Sequence, residues 1–120
     1  LEKIKQAAEQ TDKEISNLTI ACFGLAFKPD IDDLRESPAL DIAQRVGLMG
    51  IRKLLLVEPN ITVIPEGFDD STTKLVTVDE AIRSAEVVVL LVDHLQFKET
   101  DPGLLSGKQL VDARGSWTAL

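Results

Sequence analysis

The sequence holds one cysteine, one histidine, one tryptophan and no tyrosine in 120 residues. A single cysteine excludes an internal disulfide and a metal site built from thiolates alone. A single histidine without a neighbouring cysteine gives none of the usual zinc ligand sets, so no metal is expected. Aromatic residues make up only 4% of the chain, so a core has to be assembled from Leu, Ile, Val and Ala. No stretch approaches the roughly 20 apolar residues of a membrane helix. Positive charge is also short: 13 Lys and Arg against 20 Asp and Glu leave a net charge of −7. A chain of that sign has no general attraction to nucleic acid or to an anionic membrane. Any anionic ligand must be held by a few placed cations and backbone N–H groups.

What is present describes one domain with one core, 44% hydrophobic and 28% charged. There is no repeat, no low-complexity tract and no second domain. The chain starts at Leu1 rather than Met and runs straight into a charged segment without a signal-peptide pattern. That predicts a cytoplasmic protein and a sequence cut from a longer one.

Residues 1–16 are polar, with a thin apolar stripe of Leu1, Ile4, Ala8 and Ile15 at helical spacing. So narrow a stripe predicts the end of a longer helix whose main packing lies outside this chain. Residues 19–24 form an apolar run ending at a glycine and predict a buried strand. Ser37-Pro38 is an N-cap followed by proline at the first helical position, and Ala39, Ile42, Ala43 and Val46 recur as one helix face, predicting a helix to about Gly50. Residues 53–57 predict a second strand, stopped at Glu58-Pro59-Asn60, and 61–73 are irregular. Residues 75–77 predict a short third strand, and Thr77-Val78-Asp79-Glu80 has the form of a capping box for a short helix. The unbroken run Val87 to Val92 predicts a central strand, and 109–111 a last one. Alternating strands and helices imply parallel βαβ units, and unbroken apolar strands imply a sheet covered on both faces. The expected fold is therefore α/β: a doubly wound, Rossmann-like parallel sheet with flanking helices. Ligands bind such sheets beyond the C-terminal strand ends, which directs attention to the loops starting at Gly24, Glu58, Asp93 and Asp112.

In the first loop, Gly24-Leu25-Ala26 lets a ligand come close to the backbone. The G-x-G-x-x-G fingerprint is absent, since Ala26 stands where its second glycine would be. Lys28 follows, either as part of an anion site near a helix start or as a solvated loop lysine. Arg35 precedes the same helix N-terminus, where a cation is unfavourable against the helix dipole. It either pairs with Asp32, Asp33 or Glu36, or meets an external anion. Arg114 follows the last strand and suits a phosphate or carboxylate, unless it pairs with Asp112 or Asp93. Cys22, inside an apolar strand, reads as a buried thiol rather than a reactive one. His94 has no nucleophile in an evident elbow to serve as a base. Trp117 reads as a packing anchor. The acid pair Asp32-Asp33 lies too far beyond its strand for a phosphoacceptor receiver domain.

The run Phe23-Gly24-Leu25-Ala26-Phe27-Lys28-Pro29-Asp30-Ile31-Asp32-Asp33-Leu34-Arg35-Glu36-Ser37-Pro38-Ala39 resembles the signature of the UDP-glucose/UDP-mannose dehydrogenase family, at the start of its C-terminal, UDP-binding domain. Val57-Glu58-Pro59-Asn60, Val92-Asp93-His94-Leu95-Gln96-Phe97-Lys98 and Val111-Asp112-Ala113-Arg114-Gly115-Ser116-Trp117 resemble later parts of that domain in the same order. Asp93-His94 and Asp112-Ala113-Arg114-Gly115 are more similar to the UDP-N-acetyl-D-mannosamine branch than to the UDP-glucose branch, which more often has Glu-Trp at the first place.

The resemblance implies a two-step, four-electron oxidation of a sugar C6 alcohol to a carboxylate with two NAD, in nucleotide-sugar metabolism that feeds polysaccharide biosynthesis. It implies a separate N-terminal NAD domain, a catalytic Cys outside this chain, and a homodimer formed on a long connecting helix. Residues 1–17 are similar to the tail of that connector, and residues 18–120 form the UDP-sugar-binding domain. By the same resemblance Phe27, Lys28 and Arg114 contact the UDP-sugar and Arg35 reaches NAD. No catalytic residue falls in this chain, which should be inert alone. The competing expectations are a UDP-glucose 6-dehydrogenase domain, and a stand-alone nucleotide-binding or regulatory module that kept the fold.

Overall fold

A computed structural model of the chain describes residues 2–25, 38–59, 61–92, 103 and 107–112. Its elements are α1 (Glu2–Gln10), β1 (Thr19–Phe23), α2 (Pro38–Gly47), β2 (Lys53–Val57), β3 (Thr73–Leu75), α3 (Val78–Ser84), β4 (Val87–Leu90) and β5 (Gln109–Asp112). A short 3-10 turn, Ile15–Asn17, leads into β1. The five strands form one sheet in the order β3-β2-β1-β4-β5, and every pair is parallel.

Side-chain alternation along each strand divides the core into two layers. Ile20, Cys22, Leu54, Leu56, Val87 and Val89 face one side, where Ile4, Ala7 and Ala8 of α1 and Ala39, Ala43 and Val46 of α2 pack on them. Ala21, Phe23, Leu55, Val57, Val88 and Leu90 face the other, under Ala81 and Ile82 of α3. Helices thus cover both faces, as the unbroken apolar runs predict. Burial of each large aliphatic side chain contributes about 1.5–3 kcal/mol, and β1 and β4 are buried at every position.

Three expectations change. The chain's first helix ends at Gln10, and its apolar stripe packs inside this chain, against β4 and β5. Ile4 is only 3% exposed. Alanine is small enough to be read as either face, and Ala7 widens the stripe that Ile4 and Ala8 begin; Ile15 lies outside it. The third strand is Thr73–Leu75 rather than 75–77, because its register follows Leu54 to Leu56 of β2. Val76 makes a last bond to Leu56, with its N–H on that residue's carbonyl. Thr77 is already the N-cap of α3, its hydroxyl accepting from the Glu80 N–H at 3.2 Å. The second helix ends at Gly47, three residues before the expected Gly50, and Gly50 itself takes φ +84° in the turn to β2.

The irregular stretch after β2 is ordered by an Asx turn. The Asp69 carboxylate accepts from the Ser71 hydroxyl at 2.7 Å and the Ser71 N–H at 2.9 Å. Those two bonds, the hydroxyl first, hold the Asp69 carboxyl below its ordinary pKa. Among the described residues no helix is long and apolar enough to cross a membrane.

Candidate functional site

The strand order turns back at β1: β2 and β3 lie to one side of it, β4 and β5 to the other. In an open parallel sheet the crevice for a ligand opens at such a reversal, beyond the C-terminal strand ends. Here that is the seam between β1 and β4.

The floor of the seam is tightly built. The Phe23 carbonyl accepts from the Leu91 N–H at 2.9 Å and the Val92 N–H at 3.2 Å, so β4 folds over the end of β1. Gly24 turns out of the sheet with φ +96°, its N–H on the Val57 carbonyl at 2.8 Å. A Cβ at Gly24 would lie 2.6 Å from the Val92 Cβ and 2.7 Å from its carbonyl oxygen. Glycine is required here by the neighbouring strand rather than by a ligand. One residue on, the Leu25 N–H donates to the Glu58 carboxylate at 2.9 Å, and Leu25 is fully buried. Glu58 is 2% exposed and is the only charged side chain among the buried described residues.

In the sequence alone Glu58 reads only as a strand stop and as part of a motif. The signal available is an acidic residue between an apolar strand and Pro59 at a strand end that faces the crevice. What it touches, a backbone N–H 33 residues away, is not a local property.

The expected ligand contacts lie outside the described residues: Phe27, Lys28, Arg35 and Arg114, and with them Asp32, Asp33, Asp93, His94 and Trp117. The fold fixes where their segments depart. Phe27 and Lys28 follow Gly24 by three and four residues, and Asp93 follows Val92. Arg114 comes two residues after β5, whose Asp112 stands in register with Leu90. All three segments leave the same edge of the sheet.

Cys22 is buried between β2 and β4, in register with Leu56 and Val89. Burial pushes its thiol up to about 12, so the nucleophilic thiolate is absent at neutral pH. The expectation of an unreactive strand thiol holds.

Two open clefts formed by described residues lie at the opposite edge, by the strand starts. One, of about 550 Å³, runs between α1 and the end of α2 and includes Ile15, Leu48 and Met49. The other, of about 390 Å³, includes Lys13, Glu86 and Lys108. There Glu86 accepts the Thr19 N–H at 2.8 Å and pairs with Lys13 at 3.5 Å, while Lys108 donates to the Ala85 carbonyl. These contacts secure the starts of β1 and β4. Strand direction, not cavity size, decides which edge takes a ligand, and it favours the C-terminal one.

Comparison with known proteins identifies the family. Residues 21–119 match the family described as "UDP-glucose/GDP-mannose dehydrogenase family, UDP binding domain". The chain is 50% identical over 107 residues to the UDP-N-acetyl-D-mannosamine dehydrogenase of Escherichia coli (strain K12), covering 89% of this chain and 25% of that protein. It is 42% identical over 119 residues to the NDP-N-acetyl-D-galactosaminuronic acid dehydrogenase of Ralstonia nicotianae, covering 99% of this chain and 27% of that one. The chain thus spans about a quarter of the length of these curated relatives. Among solved structures, UDP-D-ManNAc dehydrogenase from Pyrococcus horikoshii superposes with a TM-score of 0.74 at 21% identity, over 96% of this chain and 26% of that one. A UDP-glucose dehydrogenase from Pyrobaculum islandicum gives 0.72 at 22% identity, over 93% and 25%. At such identities these two likenesses establish the doubly wound fold.

Proposed function

The chain belongs to the UDP-glucose/GDP-mannose dehydrogenase family, of which it is the UDP binding domain, and on that footing we propose that it holds the nucleotide end of a UDP-sugar beyond the ends of β1 and β4. The whole protein would be a cytoplasmic, homodimeric, NAD-dependent UDP-sugar 6-dehydrogenase converting UDP-N-acetylmannosamine to UDP-N-acetylmannosaminuronate. The observation that carries this reading is the 50% identity to a UDP-N-acetyl-D-mannosamine dehydrogenase, over a sheet whose strand order reverses at β1.

In this reading Phe27, Lys28 and Arg114 hold the UDP-sugar and Arg35 faces NAD. Residues 1–17 are the end of a connecting helix, and residues 18–120 form the UDP-sugar domain. When bound, NAD would accept the hydride in each of the two oxidation steps. The chain carries no dinucleotide fingerprint of its own, because Ala26 stands where the second glycine of G-x-G-x-x-G would be. NAD would therefore sit mainly on the N-terminal part of the full protein. This chain's residues contribute binding and orientation of the substrate.

Titration calorimetry of the chain with UDP, UDP-N-acetylmannosamine and NAD tests this. We expect weak UDP binding, no gain from the sugar, and no NADH formation from any UDP-sugar. NADH above background would show a catalytic group that the assignment omits. In the full-length enzyme, Lys28→Ala or Arg114→Ala should each raise KM for the UDP-sugar. Loss of one charged hydrogen bond costs about 1.5–3 kcal/mol, or roughly ten- to a hundredfold. Arg35→Ala should raise KM for NAD instead. An unchanged UDP-sugar KM in both of the first two variants would overturn the assignment.

A further inference from the structure

A buried carboxylate is an unfavourable choice where a leucine would pack, since an ionised group loses its hydration unless it is hydrogen-bonded. Glu58 is such a group, 2% exposed in the first position beyond β2. In doubly wound folds an acidic residue at the crevice hydrogen-bonds a ribose hydroxyl. Glu58 is turned inward instead, to the Leu25 N–H at 2.9 Å.

The geometry of the strand end explains what that contact does. Up to Gly24 the backbone of β1 is held by main-chain bonds, among them that from the Gly24 N–H to the Val57 carbonyl. The next N–H, that of Leu25, donates to the Glu58 side chain. The carboxylate extends the pairing by one residue at the point where the chain leaves the sheet. It thereby fixes the backbone two residues ahead of Phe27 and three ahead of Lys28. The Leu25 side chain, fully buried in the same core layer as Leu91 and Val92, holds that residue from the other direction.

We propose that Glu58 is a positioning residue: by holding the Leu25 N–H, its carboxylate fixes the end of β1 beyond which the nucleotide is proposed to bind. This rests on the reading that a UDP-sugar binds beyond that strand end. A purely structural glutamate would contribute to stability and leave the affinity of the folded chain for UDP alone.

Two substitutions separate the roles. Glu58→Leu fills the volume without an acceptor, whereas Glu58→Gln keeps a carbonyl oxygen that can accept from Leu25. Amide exchange by NMR reports on the hydrogen bond, with Ile20 and Val89 as controls, and a UDP titration followed by chemical shifts reports on binding. In Glu58→Leu we expect the Leu25 amide to exchange at least about tenfold faster while the controls hold, and UDP affinity to fall by about tenfold or more. Glu58→Gln should restore both to near wild type. The proposal is overturned if Glu58→Leu leaves Leu25 exchange or UDP affinity unchanged, or if Glu58→Gln is as impaired as Glu58→Leu. Failure of the UDP reading shows separately, as a wild-type chain that takes up no UDP. Leu25 exchange then still decides whether Glu58 holds the end of β1.

Discussion

Gly24→Ala should destabilise the chain by roughly 2–5 kcal/mol, a large share of the ~5–15 kcal/mol typical of a domain. Two costs combine. At φ +96° a side chain meets its own backbone, about 1–2 kcal/mol. The new Cβ would also lie within 2.8 Å of Val92's Cβ, carbonyl oxygen and amide nitrogen. Two of those atoms are backbone, so the ends of β1 and β4 must separate, adding about 1–3 kcal/mol. Gly50 separates the two costs, because it has φ +84° and a Cβ placed there would meet nothing within 4 Å. Gly50→Ala should therefore carry the backbone cost alone, about 1–2 kcal/mol. Urea unfolding followed by far-UV circular dichroism gives both values. If the two variants were equally destabilised, the close approach of Gly24 to Val92 would be wrong. With it would go the tight floor of the crevice.

The same seam shows which parts of the molecule could be read from sequence. β1, β2 and β4 are legible because each is a run buried on both faces, and such runs look alike wherever they fall. Gly24 is legible as a turn, and the crevice follows from strand alternation together with the placing of ligands beyond strand ends. β3 is misplaced by two residues because it pairs on one side only, with β2. Its polar Thr73 and Lys74 carry no apolar pattern, and its register is set by Leu54, Leu55 and Leu56 far away in sequence. The packing of α1 is missed because its extent depends on which face Ala7 presents. Glu58 is the sharpest case. Its residue type argues for the surface, and only the meeting of two strand ends makes a buried carboxylate useful. The assignments of Phe27, Lys28, Arg35 and Arg114 come from motif resemblance and not from periodicity, which says nothing of what a loop cation touches.

Alkaline pH should remove about 4 kcal/mol of stability through Cys22 alone. The thiol stands at about 12 in the folded chain against an ordinary 9.0, and desolvation is the cause: a thiolate between Leu56 and Val89 would have no water. The folded value is raised, so from pH 9 to 12 the native state keeps a proton that the unfolded state gives up. The contribution is complete below pH 9, falls by about 1.4 kcal/mol per unit above it, and is gone near pH 12. Lysines titrate over the same interval, so the effect is read as a difference between wild type and Cys22→Ala. The alanine variant loses some packing at every pH, a constant offset of about 1 kcal/mol for one buried heavy atom. Its disadvantage should shrink as pH rises and reverse before pH 12. A disadvantage constant from pH 8 to 11 would mean that the thiol is solvated. A thiol reagent provides the functional counterpart. At pH 8 the native chain should show no reactive thiol, and one should appear in 8 M urea. Rapid labelling of the native chain would make Cys22 accessible and reopen its candidacy as a nucleophile. Slow labelling that tracks global unfolding would leave Cys22 a packing residue of the sheet.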